Sequence, residues 1–239
     1  MGQGMSAFYS FVYGDCVQLL TDGAFLDEKG ILRAIDRKVF TFPNHPIAIA
    51  CRAASAARAF QTIADLCDFI DSFGFCDDAD AVLMFAKEFF GRLEGNGPFD
   101  AEFLIAAYSE ENGPCHFIVQ CHGRWNIPAF KMVCPGMQIG GGPPVSLNDL
   151  QHLNITPSDV ETSNFPERFG AELIGAMRKK ATISPGSGSL FFGVGGCCDL
   201  TTVKASGAIT KQLCTWDDKI GVPIDPSRDF SSSTNNSVS

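Results

Sequence analysis

The apolar residues of this chain change their spacing four times, and the order of those changes restricts the available folds more than any single motif does. From Ala7 to Thr21 they form two short runs of strand character, split by Gly14-Asp15, a hairpin signal. Asp22-Gly23 and Asp27-Glu28-Lys29-Gly30 read as turns, Lys38 to Phe42 as a third strand, and Ile47 to Cys51 as a fourth after the turn Pro43-Asn44-His45-Pro46. The period then becomes helical. Ala59, Ile63, Leu66, Phe69 and Ile70 share a face within Ser55 to Phe73, as do Val82, Phe85, Phe89 and Phe90 within Asp77 to Leu93. Asp77-Asp78 suits the start of the second helix. Strand spacing returns over Glu102 to Tyr108, Cys115 to Cys121 and Phe130 to Val133. Residues 165 to 180 are helical again and end in Arg178-Lys179-Lys180, which suits a helix C-terminus. Leu190 to Val194 and Leu200 to Trp216, broken at Gly207, are the closing strands.

Strands in blocks and helices in blocks are not the regular alternation of a doubly wound sheet. They predict a layered α+β fold, two sheets packed together with helices outside. No repeat or linker divides the chain. We expect one domain over residues 6–225, a leader or propeptide at 1–5, and a disordered Ser/Asn-rich tail at 226–239.

With 239 residues the chain can bury a core without covalent staples. A net charge of -9 leaves no basic surplus for nucleic-acid phosphates. No apolar run approaches the roughly 20 residues of a membrane span, and Met1 to Ser6 lacks the regions of a signal peptide. The ten cysteines sit mostly inside apolar runs and include no C-x-x-C pair. They read as reduced, buried thiols of a cytoplasmic protein in a reducing compartment. Cys115-His116 with Cys121-His122 is the one pairing that hints at zinc, and alternation along a strand accounts for it better. No metal and no cofactor are expected.

The candidate chemistry lies near the start. Asp22, in the pair Thr21-Asp22, follows Ser6 by 16 residues, and Lys38 follows Asp22 by 16. A serine hydroxyl is a weak nucleophile until a base takes its proton. In this register, and in its strand lengths, the chain resembles the proteasome-like branch of the N-terminal-nucleophile (Ntn) hydrolases. There the nucleophile opens the first strand, and an Asp and then a Lys follow at the same intervals. Glu102 to Tyr108 with Cys115 to Cys121 resembles the family's central hairpin. Ile139-Gly140-Gly141-Gly142 resembles its Gly-Ser-Gly loop near the site, and Phe192-Gly193-Val194-Gly195-Gly196 through Trp216 its closing strands.

The resemblance implies a four-layer αββα sandwich and an amide-bond hydrolase, a peptidase acting on peptides or small amides. Ser6 is then the nucleophile once residues 1–5 are removed, its own α-amine, with a pKa of about 8, the base. Lys38 is the electrostatic partner that eases loss of the hydroxyl proton, and Asp22 orients Lys38. Backbone N–H groups hold the oxyanion. Arg52 and Gly141 are the implied substrate-binding positions, and self-association into a ring or larger assembly is the implied partnership.

The chain departs from the family pattern at three places. Met5 precedes Ser6 where family precursors usually carry glycine. Arg52 stands where a glycine supplies an oxyanion N–H, placing a large side chain at the substrate groove. Gly141 replaces the loop serine, and Pro143-Pro144 stops a helix there. Two further functional classes therefore stand beside the active hydrolase: a catalytically silent subunit with a structural or assembly role, and an unrelated α+β binding protein.

Overall fold

A computed structural model describes residues 6–74, 78–123, 126–183 and 188–230. The expected leader at 1–5, Asp77 at the head of the second helix, and the tail beyond 230 lie outside the described residues. In chain order the strands are β1 (Phe8–Val12), β2 (Val17–Asp22), β3 (Ala24–Leu26), β4 (Leu32–Ile35), β5 (Val39–Thr41), β6 (Ile47–Ala53), β7 (Ala101–Ser109), β8 (Gly113–Gln120), β9 (Met132–Val133), β10 (Gln138–Gly141), β11 (Ala181–Ile183), β12 (Leu190–Phe192), β13 (Cys197–Lys204) and β14 (Gly207–Thr215). The helices are α1 (Ala56–Asp71), α2 (Ala79–Leu93), the single turn α3 (Pro157–Val160) and α4 (Phe165–Arg178). The protein is α+β.

Ten strands form two antiparallel sheets, ordered β10-β1-β2-β13-β14 and β5-β6-β7-β8-β9. The alternation of side chains along a strand explains the packing. On β6, Ile47, Ile49 and Cys51 point toward α1 and α2, where they meet Ile63, Leu66 and Phe90. Ala48 and Ala50, between them, belong to a second core with Leu104 and Ile118 of their own sheet and Phe8, Val17 and Leu19 of the other. The opposite face of that other sheet carries Phe11, Leu20 and Leu200 against Phe165, Leu173 and Ile174 of α4. Strands buried on both faces are why β6 and β7 read as nearly continuous apolar runs.

Local signals set the element ends. Ser55 caps α1 by accepting from the Arg58 N–H at 3.3 Å, and Asp78 caps α2 by accepting from Ala81 N–H at 2.7 Å. The Gly14-Asp15 hairpin closes with Tyr13 N–H donating to the Cys16 carbonyl at 2.8 Å. Among the described residues, no helix is long and apolar enough to cross a membrane.

Three local expectations are corrected. Asp22-Gly23 is not a turn: the chain runs straight on from β2 into β3, which pairs with β4 as a separate ribbon. Gly23 is needed because a Cβ there would stand 2.4 Å from Cys197 Sγ, while its N–H donates to the Gly195 and Cys197 carbonyls at 3.0 Å. Gly140-Gly141 is not a loop but the edge strand β10, with Gly141 opposite Phe8. The tail does not begin at 226: Pro226–Phe230 form a 3-10 turn, and Asp229 is paired with the buried Arg178.

Candidate functional site

Ser6 lies just before β1, and the pairing of Phe8 with Thr21 carries it to the end of β2 where Asp22 sits. The Asp22 carboxylate is fully buried and accepts four hydrogen bonds. Oδ1 takes Ala7 N–H and Lys38 Nζ, both at 2.9 Å; Oδ2 takes the N–H groups of Ala24 and Gly195, both at 3.2 Å. Lys38 precedes β5, and its side chain is only 3% exposed. Its ammonium also donates to Ser6 Oγ at 2.8 Å and lies 5.2 Å from the centre of the Phe25 ring. A lysine at a strand edge ordinarily keeps its head in water. Here three distant segments converge to bury it against a hydroxyl.

The chemistry of this arrangement is directional. An ammonium has no lone pair to offer, so Ser6 Oγ accepts from Lys38 and its own proton is turned away from that contact. The positive charge at 2.8 Å favours the alkoxide character a nucleophile develops. Cys51, nearby in the same cavity lining, is no rival: burial pushes its thiol up to about 11, so it is not a thiolate at neutral pH.

The structure brings Ser6, Asp22 and Lys38 together. Arg52 and Gly141 it places in a neighbouring cavity of about 420 Å³, lined also by Phe8, Ile118 and Gln120. Arg52 is folded onto Glu102, with Nε to Oε2 at 2.8 Å and Nη2 also on Oε2, and its guanidinium lies 5.6 Å from the Phe8 ring centre. Glu102 also bonds His122 Nε2 at 2.9 Å. Gly141 faces Phe8 closely, with a Cβ there 2.6 Å from Phe8 Cζ.

Sequence reasoning missed Gly195 and Glu102. Gly195 could not have been found, since its role is a backbone N–H. Glu102 had a signal, being the one charged residue in the apolar strand β7. The Cys115-His116 and Cys121-His122 pairs do not converge. His116 is buried between Ser10 Oγ and the Gly136 carbonyl, each at 2.7 Å, while His122 is on Glu102. Among the described residues, no group of three His, Cys, Asp or Glu side chains is placed to hold a metal ion.

The fold and the site define an α+β protein with a buried lysine–aspartate pair applied to a serine at the head of a strand. No protein-family model matches the chain, and no curated protein does.

Proposed function

We propose that this chain is an Ntn hydrolase of proteasome-like, four-layer αββα architecture that cleaves amide bonds with Ser6. The observation that carries the reading is the Lys38 ammonium, buried between Asp22 and Ser6 Oγ at 2.9 and 2.8 Å. Taking two charges out of water costs several kcal/mol on an order-of-magnitude scale, offset only when every lone pair and proton is well used. Here one of the lysine protons is used on a hydroxyl that a purely structural pair has no need to include.

In this reading, removal of Met1 to Met5 turns the Ser6 nitrogen into an amine. The amine takes the Oγ proton as Oγ attacks the substrate carbonyl, and Lys38 stabilises the negative charge on Oγ. Asp22, held by three backbone N–H groups, fixes Lys38. The amine returns its proton to the departing amine, and water then releases the acyl group. Substrates are peptides or small amides. Copies of the chain assemble with one another, in a reducing cytoplasmic setting that the cysteine-rich, acidic composition suits.

The test is the intact mass of the purified protein. A chain beginning at Ser6, with processing abolished in Ser6→Ala, is the expected result. A mass that retains Met1 sinks the mechanism. A second reading, a catalytically silent assembly subunit, is favoured by one observation, Met5 rather than glycine before Ser6. It requires the leader to persist and native mass spectrometry to find a ring or larger particle.

A further inference from the structure

Two cavities of very different size adjoin the Ser6 segment. The one lined by Arg52 and Gly141 measures about 420 Å³; the one lined by Ser6 and Lys38 themselves measures about 40 Å³. On this measure about 10–15 Å³ holds one water, so the smaller cavity admits a group of only a few non-hydrogen atoms. Ala53, Ala54, Ala56 and Ala59 form much of its lining, and alanines leave little that could retract. Among the described residues, Phe25 is the one large ring in that lining. It is pinned between the Lys38 ammonium, 5.2 Å from its centre, and the Phe60 ring of α1, 5.6 Å away. Among the described residues, the only charge in the lining is Lys38, already paired with Asp22.

We infer that, once residues 1–5 are gone, Phe25 limits the acyl half of an incoming substrate to a small, uncharged group, such as an acetyl or propionyl unit. This deepens the hydrolase reading and rests on it. The acyl half belongs in the small cavity because Ser6 and Lys38 line it and do not line the larger one. Ser6 Oγ forms a bond to the acyl carbon, the bond from that carbon to the leaving group breaks with its electron pair, and the hydroxyl proton passes to the Ser6 amine.

The experiment uses the full chain as purified and 4-nitrophenyl acetate, propionate, hexanoate and phenylacetate. It follows nitrophenolate release and the mass of acylated Ser6, with Ser6→Ala subtracted as background. Acetate and propionate are expected to exceed hexanoate and phenylacetate in kcat/KM by at least about tenfold, the scale of one misfitting methylene in an apolar pocket. Phe25→Ala should shrink that ratio, with Phe25→Leu intermediate. Equal or faster reaction with hexanoate in the unaltered protein overturns the inference and leaves the nucleophile in place. Absence of acylated Ser6 with every ester overturns the nucleophile as well. The wild-type series decides the matter even where Phe25→Ala does not fold. Phe25→Leu with an unchanged ratio, despite native stability, removes Phe25 as the determinant.

Discussion

Arg178 grips Asp218 at two points, Nη1 to Oδ2 and Nη2 to Oδ1, both at 2.8 Å, at the end of helix α4. The same guanidinium holds Asp229 through Nε and Nη2 at 2.8 and 3.0 Å and the Val194 carbonyl through Nη1 at 3.2 Å. Asp218 Oδ2 also accepts the Gly196 N–H at 2.7 Å, and the adjacent Gly195 N–H is one of the four donors on Asp22. The last described turn of the chain is thus connected, bond by bond, to the carboxylate that holds Lys38. The fit leaves no room at Gly195, where a Cβ would stand 2.5 Å from Asp218 Oδ2.

Removing Arg178 strands a buried carboxylate. Arg178→Ala should lower stability by about 3–5 kcal/mol, the usual effect of breaking a buried pair from one side. Arg178→Lys should recover little, because an ammonium cannot span two carboxylates in the fork geometry. Urea unfolding checks this through the midpoint at unchanged slope. A loss under about 1 kcal/mol in Arg178→Ala rules out the tether.

Lys38 and Asp22 should be strongly coupled. Lys38→Met leaves Asp22 with its backbone donors but no countercharge, and Asp22→Asn leaves the buried ammonium with acceptors but no countercharge. Each should lose about 3–5 kcal/mol, and the double variant markedly less than their sum. A double-mutant cycle by urea unfolding measures the difference. Additive losses contradict a direct pair at 2.9 Å.

The α+β class was legible because apolar spacing reports which faces of a strand or helix are buried, and here three cores use that spacing in turn. The Ser6, Asp22 and Lys38 grouping was legible only through the resemblance, because the chain repeats its two intervals of 16 residues. Other features depend on contacts that spacing does not encode. Asp22-Gly23 carries a turn composition, yet tertiary packing against Cys197 and Gly195 holds it extended. The Arg52–Glu102 pair depends on the register of β6 against β7, where the two residues are directly opposed. Asp229 reaches Arg178 across 51 residues, from a segment whose composition reads as disordered.

Gly141 gives a test of how tightly strand β10 packs against β1. In Gly141→Ser the new Cβ would meet Phe8 Cζ at 2.6 Å and Cε1 at 2.7 Å, and Phe8 is itself packed between the sheets. Gly141→Ser should therefore destabilise by about 1–3 kcal/mol through overpacking. Pairing it with Phe8→Leu should return part of the loss. Thermal or urea unfolding of the three variants decides this, and a neutral Gly141→Ser shows that Phe8 can move aside.

His116 gives the fold a defined response to acid. The Gly136 carbonyl can only accept, so Nε2 carries the ring proton and Nδ1 accepts from the Ser10 hydroxyl. Burial is the main cause that holds the His116 pKa below its ordinary value near 6.5, opposed by the bond to Gly136. A depressed pKa in the fold means that the unfolded chain takes up the proton first as pH falls. The stability this neutral ring contributes is then complete above about pH 6.5 and drains away as pH drops toward the folded value, by at most about 1.4 kcal/mol per pH unit. Urea midpoints at pH 8 and pH 5 should fall further apart in the unaltered protein than in His116→Gln, which has no ring to protonate. Equal separations in the two proteins mean that the buried imidazole takes up its proton as readily in the fold as outside it.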